Sequence, residues 1–236
     1  TSDRATSLEI ANRKSKIANP DASYTQRTLS LELQRRGRLP FDECLQLGLS
    51  LSLALGHLHR HGLIHRDIKP SNVIFVNGVP KLADMGLVTD IGEAHSFVGT
   101  EGFIPPEGHN SPQADLYSLG KVLYEISMGK DRKDFPEPFT RIEEAGDAEW
   151  LMELNTVIVQ ACALQPRDRY QSADELHLDL AFLQGGQSIR KKRVLERRLR
   201  LSTKVGAAAG VFALLACGGY FYQQHRAALA VRQTEK

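Results

Sequence analysis

Residues 39–62, LPFDECLQLGLSLSLALGHLHRHG, constrain the fold more tightly than any other stretch of the chain. Pro40 stands near a helix start, and Asp42 and Glu43 fall in the first turn, where the helix dipole favours acids. Gly62 is a natural stop. Between these limits Leu45, Leu49 and Leu53 form one series at helical spacing, and Leu47, Leu51, Leu55 and Leu58 form a second. Together they make an apolar surface so broad that the helix has to be buried.

The rest of the chain supplies what could bury it, since hydrophobic residues make up 42% of the 236. ADLYSLGKVLYEISMG, from Ala114, presents Leu116, Leu119, Val122, Leu123 and Ile126 as a core stripe. AEWLMELNTVIVQACAL and SADELHLDLAFLQ read as two more helices, separated by QPRDRYQ. Residues 130–147 are charged, contain Pro136 and Pro138, and read as a loop. NVIFVNGVPKLADM reads as a hairpin, with Val73–Val76 leading out, Asn77-Gly78 as the turn and Val79–Ala83 returning. The expected fold is therefore mainly α with one small β-hairpin, its body ending near Gly185-Gly186.

Polar residues cluster on the loops that flank the hairpin. HRDIKPSN occupies 65–72, and KLADMGLV occupies 81–88. Transfer of a terminal phosphoryl group needs a group to position or deprotonate the hydroxyl, a cation near the moving charge, and ligands for Mg²⁺. Asp67, Lys69, Asn72 and Asp84 supply these kinds of group in order along the chain.

This stretch resembles the catalytic loop and metal-binding turn of eukaryotic-type serine/threonine protein kinases, of the bacterial membrane-anchored sort. The resemblance implies that Asp67 acts on the substrate hydroxyl, that Lys69 contacts the γ-phosphate of ATP, and that Asn72 and Asp84 hold Mg²⁺. It makes a protein Ser/Thr side chain the acceptor and casts His65 and Arg66 as supports of the loop. DMG at 84–86 stands where the family has Asp-Phe-Gly, and Met85 can fill the apolar slot. GTEGFIPPE at 99–107 is similar to the end of an activation segment, which implies that Thr100 bridges toward Asp67 and Lys69 and that Glu107 pairs with Arg169. Asp115 is similar to the buried aspartate that tethers the catalytic loop from beneath. Arg66 implies regulation by a phosphorylated activation segment, with Thr89 and Ser96 as the available hydroxyls.

The resemblance covers roughly residues 28–184, the larger helical lobe of such a kinase. No G-x-G-x-x-G occurs in these 236 residues, and no strand lysine or helix glutamate for the smaller lobe is recognisable. Two readings stay open: a piece of an enzyme that works with a missing N-terminal lobe, expected to be inactive alone, or a non-catalytic kinase-like binding module. Residues 1–27 are polar, short of large apolar side chains, and read as a flexible linker.

His57, His59, His61 and His65 invite a metal reading, yet no cysteine or carboxylate nearby completes a site. Cys44, Cys162 and Cys217 are far apart and form no CxxC pair, which fits a reducing compartment. Up to residue 189 the chain carries 19 bases and 26 acids, which argues against a nucleic-acid-binding body. Eight bases then crowd between Arg190 and Lys204 against the single acid Glu196.

This basic segment, 187–204, precedes VGAAAGVFALLACGGYFY at 205–222, which has no charge. As a helix that run would be about 27 Å long, enough for one pass through a hydrocarbon core of roughly 30 Å. The expectation is a single transmembrane helix, with the basic segment on anionic lipid at the cytoplasmic side, the lobe inside, and residues 223–236 as a short outer tail. Gly206 and Gly210 form a GxxxG that would permit homodimer pairing of the helix.

Overall fold

The leucine-rich helix is enclosed as its pattern requires. In the structure, a computed structural model, the described residues are 27–84, 89–90, 100–137, 146–196, 198–199, 202–203, 210, 214, 217 and 218. Helix α1 is Leu29–Arg36 and α2 is Phe41–Arg60, the latter starting directly after Pro40. Asp147 accepts a hydrogen bond from the Phe41 amide at 2.8 Å, satisfying an N-terminal donor that has no partner within the helix. Nine residues of α2 between Cys44 and Gly56 are buried, and Leu53 is left outside.

What encloses α2 is a set of three helices: α3 (Pro112–Met128), α4 (Ala148–Ala161) and α5 (Ala173–Gln184). Gly48 and Gly56 let α5 come close, because a Cβ at Gly48 would stand 3.0 Å from a Leu180 methyl and one at Gly56 3.0 Å from an Asp174 oxygen. Between them Ser52 meets the His177 ring nitrogen at 3.0 Å. Helix α3 is buried nearly all round, so it is the axis of the body. It begins two residues before Ala114 because Ser111 caps the Ala114 amide and Pro112 takes the first turn.

The hairpin forms as read, with β2 (Val73–Val76) antiparallel to β3 (Val79–Leu82) and Val76 facing Val79 in register. Asn77 and Gly78 both have positive φ, 51° and 80°, the conformation of a two-residue turn that matches strand twist. A second pair, β1 (Leu63–Ile64) with β4 (Thr89–Asp90), has no counterpart in the sequence reading. Two-residue strands carry too little periodicity to show themselves. Helix α1 was equally silent: it runs only eight residues and buries only Leu29 and Glu32. It packs on the hairpin, where the Phe75 amide donates to the Arg27 carbonyl at 2.9 Å.

The described residues of 130–147 are irregular as expected apart from a 3₁₀ turn at Arg132–Asp134, and 138–145 lie outside the described residues. Packing does not stop at Gly186. Residues 189–196 form a further helix, α6, with helical backbone again at 198–199, and Ile189 is fully buried in the same core as α2 and α3.

Candidate active site

A strained loop, held from below, carries the polar cluster. Leaving β1, the chain passes through Arg66 at φ 69°, a left-handed conformation that costs a residue with a Cβ roughly 1–2 kcal/mol. Asp115, in the first turn of α3 and 1% exposed, accepts the amides of His65 and Arg66 at 2.8 and 2.9 Å. Hydrogen bonds to a charged acceptor contribute about 1.5–3 kcal/mol each, enough to hold the loop in that shape. The His59 ring shares the same carboxylate at 2.9 Å. His59 is therefore a support of the loop, and its part in a histidine cluster was a decoy.

The 3₁₀ turn Pro70–Asn72 folds the rest of the loop back on itself. Its last residue, Asn72, donates its side-chain amide to both the carbonyl and the carboxylate of Asp67, each at 2.9 Å. The Lys69 ammonium lies 2.7 Å from the Asp67 carboxylate and donates to the Thr100 hydroxyl at 2.9 Å, and Thr100 in turn donates to Asp67 at 3.2 Å. Asp67, Lys69, Asn72 and Thr100 thus form one cluster in direct contact. Asp67 and Asn72 are buried, while Lys69 keeps a quarter of its side chain exposed.

Asp84 stands at the exit of the hairpin. The Ala83 amide donates to the Asn72 carbonyl at 2.8 Å, which ties this end of the hairpin to the loop. Asp84 itself has φ 59° and an exposed side chain that makes no hydrogen bond or ion pair with the described residues. Asn72 keeps its side-chain oxygen with only a 3.4 Å contact from Ser71. The unpartnered Asp84 carboxylate and the weakly held Asn72 oxygen, on adjoining segments, suit a hard divalent cation. Among the described residues no group of three or more His, Cys, Asp or Glu is placed to hold a metal, so the histidine-metal reading has no support.

Residues 100–107 are anchored at four points. Thr100 joins the cluster, Arg132 donates to the Glu101 carbonyl at 2.9 Å and lies over the Phe103 ring, and Ser118 donates to the Phe103 carbonyl at 2.8 Å. At the far end Glu107 pairs with Arg169 through both carboxylate oxygens. The Arg169 guanidinium is fully buried and also donates to the carbonyls of Ala163, Gln113 and Leu164, so every one of its donors is used. Arg132 and Ser118 were not found from the sequence, because each acts through a carbonyl that any residue could provide.

His65 is fully buried, and neither of its ring nitrogens has a partner among the described residues. His109 is buried close to Arg66; burial first, and the Arg66 charge second, hold its imidazole below the ordinary pKa and so neutral. Thr89 lies in β4 opposite Ile64. Met85, Gly86 and Ser96 lie outside the described residues.

A family model described as a protein kinase domain matches residues 20–180. This chain belongs to the protein kinase family. Among curated relatives, a probable serine/threonine-protein kinase of Clostridium perfringens is 31% identical over 174 residues, 65% of this chain and 25% of that protein. The serine/threonine-protein kinase PknB of Mycobacterium leprae is 29% identical over 199 residues, 72% of the chain and 31% of the relative. A probable serine/threonine-protein kinase of Streptomyces coelicolor is 30% identical over 221 residues, 84% of the chain and 30% of the relative. The chain thus spans between a quarter and a third of the length of these relatives. The kinase family resemblance is upheld, as is a mostly helical fold with a small sheet.

Proposed function

We propose that this chain is the larger lobe of a serine/threonine protein kinase that transfers the γ-phosphate of ATP to protein hydroxyls. The observation that carries the reading is the contact cluster of Asp67, Lys69, Asn72 and Thr100 on a loop held by Asp115. In this reading the Asp67 carboxylate orients the acceptor hydroxyl and takes its proton. Lys69 places a positive charge beside that carboxylate, facing the charge on the phosphoryl group. Thr100 fixes the end of the 100–107 segment against both, so a peptide lying on that segment meets Asp67 in a defined register. Asn72 and Asp84 would hold Mg²⁺ through their oxygens. The ion, bound with ATP, neutralises phosphate charge.

Alone, the lobe gives the adenine one wall and the phosphates no glycine-rich cradle, and each 1.4 kcal/mol of lost positioning slows transfer about tenfold. The 236-residue chain by itself is expected to be inactive, and a chimera carrying the N-terminal lobe of a mycobacterial PknB ahead of residue 28 is expected to be active. The test is phosphoamino-acid analysis of a generic protein substrate after incubation with Mg²⁺ and labelled ATP. Phosphoserine and phosphothreonine from the chimera support the reading; a folded, ATP-binding chimera that yields neither, or yields phosphotyrosine, refutes it. A non-catalytic binding module would behave in the first of those two ways.

The organisation proposed around the lobe is a polar linker at 1–27, the lobe at 28–186, a basic segment at 187–204, one membrane-spanning helix at 205–222 and an outer tail at 223–236. The uncharged run of 18 residues and the basic residues before it support this. Among the described residues no helix is long and apolar enough to cross a membrane, and 205–222 lies outside them except for residues 210, 214, 217 and 218. Pairing through Gly206 and Gly210 and phosphorylation at Thr89 or Ser96 belong to the same proposal.

A further inference from the structure

The basic segment does two different things on its two faces. On one face its charges are used up by the lobe. Asp179, 3% exposed, accepts from Lys192 at 2.7 Å, from Arg193 and from Tyr170 at 2.8 Å. Glu153, also 3% exposed, accepts from the Ser188 hydroxyl at 2.7 Å and from the Arg190 guanidinium and amide at 2.8 and 3.1 Å. Burial pushes the Glu153 carboxyl up, and these three hydrogen bonds outweigh it, so the group is held below the usual carboxylate range. With Ile189 sunk in the core, α6 is fixed to α4 and α5 and cannot leave without stranding two buried carboxylates.

The other face is exposed and mixes apolar with basic side chains. At about 100° per residue, Lys191, Val194, Leu195, Arg198 and Leu199 fall within an arc of roughly 140°. The three apolar side chains are 51%, 59% and 56% exposed, and Lys191 and Arg198 are exposed beside them. No acid of the helix shares the arc: Glu196 falls about 60° beyond Leu199 and lies 4.0 Å from Lys192 and Arg193. Neighbouring leucines and a valine framed by bases, on a helix leading toward the uncharged run at 205–222, fit the headgroup region of an anionic bilayer.

We infer that the stripe Lys191, Val194, Leu195, Arg198 and Leu199 lies on the anionic face of a lipid bilayer while Glu153 and Asp179 clamp the reverse side of the same helix. The lobe then has one fixed orientation to the membrane and does not swing on a loose tether. The inference rests on the reading of 205–222 as a membrane span, and the experiment separates the two.

The 236-residue chain with Cys217→Ser is given one new cysteine, Leu195→Cys or Leu214→Cys, labelled with a polarity-sensitive fluorophore and reconstituted in vesicles. Cys44 and Cys162 are buried, with thiols pushed up to about 12, and stay unlabelled. Quenching by lipids brominated near the headgroup reads the stripe, and quenching by lipids brominated near the chain ends reads the span. The expected result is shallow quenching at 195 in vesicles containing phosphatidylglycerol. It should be lost in pure phosphatidylcholine and weakened at least fivefold by Lys191→Glu with Arg198→Glu, since each base near an anionic surface strengthens association roughly fivefold. An unquenched 195 label beside a deeply quenched 214 label overturns the inference and leaves the span. Shallow quenching at 195 with an unquenched 214 label sinks the span and keeps the stripe. Equal quenching at 195 in neutral and anionic vesicles also overturns the inference.

Discussion

Asp115→Ala should loosen the catalytic loop more than it disturbs the rest of the lobe. The carboxylate holds the amides of His65 and Arg66 and shares an oxygen with His59, all in a site 1% exposed. Truncation leaves two buried amides without partners, at about 1–3 kcal/mol each. Arg66 can then relax from φ 69°, which returns about 1–2 kcal/mol. The net loss is about 1–4 kcal/mol, centred near 2.5. Urea unfolding of the full chain, followed through the single tryptophan Trp150 that packs on Phe41 at 5.8 Å, measures it. Asp174→Ala is the control, since its pair with Arg60 is more than half exposed on both sides and contributes at most about 1 kcal/mol. Amide exchange should quicken at His65 and Arg66 in the Asp115 variant alone. A loss no larger than the control, or unchanged exchange at those two amides, would refute the reasoning.

Arg169→Lys replaces five directed donors by one point charge, leaves three carbonyls short of a partner, and should lower stability by about 2–4 kcal/mol in the same urea assay. Gly120→Ala puts a Cβ 2.6 Å from the Cys162 sulfur and 2.9 Å from the Ala161 methyl, so a loss of about 1–3 kcal/mol is expected. Cys162→Ala should recover part of that loss, which a double-mutant cycle detects as non-additivity. Burial pushes the thiols of Cys44 and Cys162 and the phenol of Tyr124 up to about 12. A raised folded pKa gives stability that is full below the unfolded value and is lost as pH climbs to the folded one, so the urea midpoint should fall between about pH 9 and 12. Burial lowers Lys121 and works the other way in that window, but it is one group against three. A midpoint that rises from pH 9 to 11 would contradict this.

How much could be read in advance depended on how far apart the partners lie. Helix α2 and the hairpin were legible because their signals are local: leucines at three- and four-residue spacing, and Asn-Gly between β-branched runs. The cluster of Asp67, Lys69 and Asn72 was legible for the same reason, since six consecutive residues hold it. Thr100, Asp115, Glu107 and Arg169 were reached only through the family resemblance, because their contacts cross 31 to 62 positions. The role of His59 as a support of the loop was not legible, because its partner Asp115 is 56 positions away. The basic segment was read from composition as one lipid-facing patch. Composition cannot say that Arg190, Lys192 and Arg193 turn inward, since that depends on the buried acids Glu153 and Asp179 of two other helices.

The most direct measurement is the rate of labelled phosphate transfer by the chimera with Asp67 and with Asp67→Asn, at saturating Mg²⁺ and ATP. The amide keeps the shape and loses the proton acceptor, so a fall of about 10²–10⁴-fold with little change in ATP affinity is expected. A variant that keeps its rate within threefold would contradict Asp67 as the group that works on the hydroxyl.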